Sequence, residues 1–244
     1  MTVWGLLRRI GPMDVRAILR DRLLLWFLVL PIVVAVLLGW GVPLLSGWLQ
    51  ARFAFDLIPY YPLIAGSYIL VAPSMVGFVA GFLLLDERDD HVLDAWRVTP
   101  VSLNDLFLYR VGTPVVLGTV MTLGGYSLMQ LAPISIGPLL VAAILGAGAA
   151  PTLALALAGF ADNKVSGLAI AKLVSAASNL ALVAWFIPMP WQLLAGVLPT
   201  YWPMKVVWQA SGGASWEPYA AAGLAVSLLV IAMLCLRFRA VLEP

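Results

Sequence analysis

Long apolar runs separated by short polar intervals dominate this chain. Six of them lie near 23–45, 62–85, 106–130, 136–160, 167–187 and 217–237, each nearly free of charge at its centre. A helix needs about 20 mostly apolar residues to cross a bilayer, and its backbone groups must be satisfied within the segment. The runs are long and show no two-residue alternation, which excludes membrane β-strands. The pattern therefore predicts an all-α, polytopic membrane protein with six transmembrane helices forming one transmembrane domain over 1–244. The first run is too long for the apolar core of a signal peptide. No small-x-small cleavage site follows it before Trp48, so it reads as a retained helix.

Three stretches break the pattern. Residues 1–22 place Arg9, Arg16 and Arg20 on one helical face and Trp4, Leu7 and Ile18 opposite. That is the pattern of an amphipathic helix lying on an anionic leaflet, with Gly11-Pro12 as the expected break. The second stretch, LLLDERDDHVLDAWRVTPVS at 83–102, packs charge densely at the end of an apolar run. Its middle suits a short amphipathic helix ended by Thr99-Pro100, because a residue before proline avoids the α region. The third, 188–216, is Pro-broken and rich in aromatic residues, including Trp191, Tyr201, Trp202 and Trp208. Such residues suit a membrane–water interface.

Composition narrows the class further. The chain is 63% hydrophobic and 11% charged, against about 25% charged for a soluble domain. A net charge of +2 gives no footprint for nucleic acid. One cysteine, Cys235, excludes an internal disulfide, and the single His91 has no companion ligands for a metal. Twelve of the fourteen basic residues fall on one side of the six spans, with Arg52 and Lys205 on the other. That bias predicts a multi-pass protein of the cell membrane with both termini and the 86–105 loop in the cytoplasm.

No nucleotide-binding GxxxxGK[ST] occurs, and no catalytic set lies within the spans. No ionisable residue sits at mid-membrane, which argues against proton or sodium coupling and for a hydrophobic or amphipathic substrate. Gly77 and Gly81 form a GxxxG on the second span, a spacing that lets helices approach closely. Ser175, Ser178 and Asn179 form a polar stripe on the fifth, suited either to a substrate pathway or to interhelical hydrogen bonds. The charged 86–100 stretch suits either a docking element for a soluble partner or a solvated loop.

The order of these features resembles the ABC-2 permeases, the membrane subunits of type 2 ABC exporters. The resemblance rests on the N-terminal amphipathic helix, six spans, Glu87-Arg88 leading to Thr99-Pro100-Val101-Ser102, and the apolar, Pro-containing segment before the last span. Drug and antibiotic exporters, such as those for fluoroquinolones and daunorubicin, are the nearest kind. The resemblance implies a soluble ABC ATPase dimer that holds ATP and Mg, with no cofactor on this chain. It also implies a second permease, either another copy or a homologue. Residues 86–100 would be the coupling helix, with Glu87 and Arg88 near its entry and Asp94, Trp96 and Arg97 in its body. The second and fifth spans would lie near the dimer pathway, and 188–216 would be a re-entrant cap. The other readings are a substrate-binding membrane component of an ATP-driven uptake system, which would lack the long charged loop, and a passive channel, which would need no docking helix.

Overall fold

A computed structural model describes residues 3–89 and 103–242. It is all-α, and no strand occurs among the described residues. The amphipathic helix α1 (Val3–Arg20) leads through Asp21 into α2 (Arg22–Phe53). Asp21 has extended backbone and its carboxylate accepts from the amides of Leu23 and Leu24, so it ends one helix and caps the next. The expected break at Gly11-Pro12 does not occur, since α1 runs unbroken through Pro12. Pro12 is exposed. The carbonyl four residues earlier, which loses its donor, lies on the same helical face and does not need a buried partner.

The remaining helices are α3 (Tyr61–Asp89), α4 (Leu103–Met129), α5 (Ile136–Ala147), α6 (Ala149–Phe160), α7 (Lys164–Leu180), α8 (Tyr201–Ser211) and α9 (Glu217–Leu242). Six segments are long and apolar enough to cross a membrane: Arg22–Phe53, Ile58–Glu87, Leu108–Met129, Ile136–Phe160, Lys164–Phe186 and Glu217–Arg237. They coincide with the six predicted runs to within a few residues, except that α2 continues to Phe53, past the expected end at 45. At 1.5 Å per residue its 32 residues extend about 48 Å, well beyond a hydrocarbon core of about 30 Å.

The fourth span is two helices. Pro151 has no amide for the carbonyl of Ala147, and the Gly148 amide bonds the Leu145 carbonyl at 3.1 Å in a tighter turn. The fifth span ends in a 3₁₀ segment, Ala181–Phe186.

Two spans form the centre. α3 and the α5–α6 pair are mostly buried, whereas α2, α4, α7 and α9 turn most of their surface outward. The outward side chains are apolar, among them Trp26, Trp40 and Leu44 on α2, Val116 on α4, Leu173 on α7 and Leu229 on α9. With no hydrophobic force between helices in lipid, close packing must hold the bundle together. The glycines show where it does. A Cβ at Gly77 would lie 2.5 Å from the Ala150 carbonyl oxygen. One at Gly81 would lie 3.1 Å from the Ala154 Cα. The GxxxG is therefore spent on α6 of the same chain, and α3 is not free to meet another copy along it.

Candidate functional site

Two consecutive carboxylates end α3, and each is held by a different element. Lys164, at the start of α7, bonds Asp86 at 2.8 Å on the surface. Glu87 accepts from Nη2 of Arg110 on α4. Nη1 of the same guanidinium bonds Asp14 of α1 at 2.8 Å, and the Tyr109 hydroxyl donates to that same carboxylate oxygen at 2.8 Å. Arg110 is 8% exposed, Asp14 19% and Glu87 18%. Taking such ions from water costs several kcal/mol each, which only close pairing with hydrogen bonds offsets. One buried arginine thus joins α1, α3 and α4 near the last turn of α3. The Nε of Arg110 and the Oε2 of Glu87 remain buried without a partner among the described residues.

The sequence placed Glu87 and Arg88 near the entry to a coupling helix. The structure places Arg88 in the last turn of α3 and turns Glu87 inward onto Arg110. The calls on Asp94, Trp96 and Arg97 lie outside the described residues. Arg110 was read only as one of the basic residues that set topology, and Asp14 was given no role. The available signal was a charge just inside each of two otherwise apolar helical faces.

The polar stripe on α7 is divided. Ser175 and Ser178 line a cavity of about 180 Å³ in the middle of the bundle. Its other hydroxyls are Ser74 of α3, Thr152 of α6, Thr200 before α8 and Ser227 of α9. Leu70, Leu145, Leu153, Leu198 and Val230 supply its apolar wall. The lining holds no charge. Thr152 donates to the Gly148 carbonyl at 2.8 Å and Ser178 to that of Val174 at 2.8 Å. Thr200 donates to the Ser178 carbonyl at 3.2 Å, tying the segment before α8 to α7. Such a site suits an apolar body carrying a few hydrogen-bonding atoms. Asn179 points away and is exposed on the outer face of α7.

At the end opposite Asp86 and Glu87, the segment 188–216 folds inward. A 3₁₀ turn, Trp191–Val197, meets α8, which packs between α3, α5 and α9. At 11 residues α8 is about 16 Å long, too short to cross. Lys205 is buried there. Its ammonium donates to Oε1 of Gln192, and it lies 5.3 Å from the Tyr219 ring centroid. Gln192 in turn donates to the Ala184 carbonyl at 2.7 Å. Burial pushes the Lys205 ammonium below its ordinary range.

Among the described residues, no group of three or more His, Cys, Asp or Glu could hold a metal ion. No solved structure matches the chain. The family model described as fluoroquinolones export permease protein Rv2686c-like matches residues 14–235. Two relatives, fluoroquinolones export permease proteins Rv2686c and MT2760 of Mycobacterium tuberculosis strains H37Rv and CDC 1551, are each 36% identical over 234 residues. The alignment covers 94% of this chain and 92% of each relative. With six membrane-crossing helices and this match along nearly its whole length, the chain is a multi-pass membrane protein that belongs to the Rv2686c-like family of export permeases.

Proposed function

We propose that the chain is the membrane subunit of an ATP-driven ABC exporter, moving hydrophobic or amphipathic compounds out of the cell. One observation carries this reading beyond family membership. Ser175 and Ser178 line an uncharged, hydroxyl-bearing cavity at the centre of the spans. Compounds of the drug or antibiotic class fit that chemistry, and the relatives are named for fluoroquinolone export.

In this reading ATP and Mg are held by a separate soluble ATPase dimer, and this chain hydrolyses nothing. The ATPase docks on 86–100, and its stroke reaches the bundle through Asp86 and Glu87. The protein lies in the cell membrane with both termini and that docking stretch in the cytoplasm. The single domain of 1–244 pairs with a second permease, a copy or a homologue. The exposed face of α7 supports such pairing. Lys172 and Asn179 sit two turns apart on it, and polar groups in a span face protein or water rather than acyl chains. The inward fold of α8 supports a re-entrant cap for 188–216.

The test is drug accumulation in cells carrying the chain with its ATPase. Ser175→Leu with Ser178→Leu should raise intracellular drug while leaving assembly intact. Export that persists without any ATPase would overturn the reading.

A further inference from the structure

A second cavity, of about 240 Å³, lies at the charged end between α1, α2, α3 and α4. It is separate from the hydroxyl-lined one, and the two share no lining residue. Val76, Val79 and Leu83 of α3 with Pro114 and Leu117 of α4 make its wall apolar. At one end Asp14 and Arg110 both line it. Arg110 is more than nine-tenths buried. Among the described residues, the ion cluster at that end is Asp14, Glu87 and Arg110, two carboxylates on one guanidinium, with Glu87 behind the lining. An anionic head group would meet a guanidinium whose single charge two carboxylates already offset. A cationic head group would meet Asp14, which still shows 19% of its side chain.

The geometry points to a binding site for lipophilic amines, with the ammonium against Asp14 and the apolar body between α3 and α4. The cavity lies beside α1, the helix whose arginines mark it as lying along the membrane surface, where such amphipaths concentrate. This inference rests on the exporter reading for its purpose, as a place where a compound is collected before the central cavity, but not for its chemistry.

The test uses the purified full chain in neutral detergent and two fluorescent probes, a labelled dodecylammonium and the equally labelled dodecanol. The native chain should bind the ammonium about tenfold more tightly than the alcohol. Asp14→Asn should abolish that preference and leave the alcohol's affinity near its native value. Leu117→Trp, which fills the cavity without touching the ion pairs, should weaken both probes together. Equal affinities in the native chain would overturn the proposal. So would a preference that survives Asp14→Asn, or binding indifferent to Leu117→Trp. If Asp14→Asn does not fold, the native preference and the weakening of both probes by Leu117→Trp still decide the matter. Selective binding by a chain that exports nothing would support the site and count against the exporter reading.

Discussion

The hydroxyl of Tyr68 on α3 lies across Gly125 on α4, so close that a Cβ there would sit 1.7 Å from the oxygen. The hydroxyl donates to the Pro31 carbonyl of α2 at 3.2 Å, so one buried side chain spans three helices. Gly125→Ala should lower thermal stability in detergent, by about 1–3 kcal/mol for overpacking. Gly124 is the control, because a Cβ there meets nothing within 4 Å. Both variants gain the same helix propensity, so their difference in melting temperature isolates the clash. Equal melting would show that Tyr68 moves aside freely.

Gly77→Ala should also destabilise, since the obstacle at 2.5 Å is the Ala150 backbone and cannot rotate away. The loss should appear as unfolding of the single chain. Cross-linking between copies should stay unchanged, because this surface is buried against α6. A drop in cross-linking with unaltered melting would restore the GxxxG to an interface between copies.

Replacing Arg110 with Met leaves Asp14 and Glu87 buried without their cation. Stranding a buried charge costs about 3–5 kcal/mol. The triple variant Asp14→Asn, Glu87→Gln, Arg110→Met should be less damaged than Arg110→Met alone, because no ion is then stranded. Thermal melts of the two variants check this ordering.

Asn179→Leu should leave the melting temperature of the single chain unchanged, as its side chain is exposed. It should weaken self-association by about threefold, the equivalent of roughly 0.6 kcal/mol for one interhelical hydrogen bond. Analytical ultracentrifugation in detergent reads both association and its loss.

Membrane orientation is tested by labelling with an impermeant thiol reagent, after Cys235, the single native cysteine, is replaced by Ser. Cysteines placed at Arg52 and Gly212 should react from outside intact cells. One at Asp90 should react only after lysis. Labelling of Asp90 from outside would invert the topology and remove the docking stretch from reach of a cytoplasmic ATPase.

The six spans were legible because crossing a membrane imposes length and apolarity on contiguous residues, and contiguity is what a sequence displays. Contacts between distant elements were not. Nothing in the local pattern says that Gly77 meets Ala150, since small residues serve a neighbour in the same chain or in another equally well. The stripe Ser175, Ser178, Asn179 was divided for a geometric reason. Ser178 and Asn179 are 100° apart around a helix, so a cavity on one side of Ser175 takes Ser178 and leaves Asn179 outside. The unbroken α1 shows the weakness of a proline signal where the freed carbonyl does not need a protein donor. Arg110 was read only as a topological charge, because its partner Asp14 lies 96 residues away.

Asp86 and Glu87 are neighbours, so they too stand 100° apart around the axis of α3. Lys164 grips one and Arg110 the other. The end of the helix is clamped at two points of its circumference, like a shaft between two bearings. Rotation about the axis would break one grip or the other. On the exporter reading, a load arriving from beyond Asp89 would be delivered to α7 through Asp86, and to α4 and α1 through Glu87, as thrust along the helix rather than as torque.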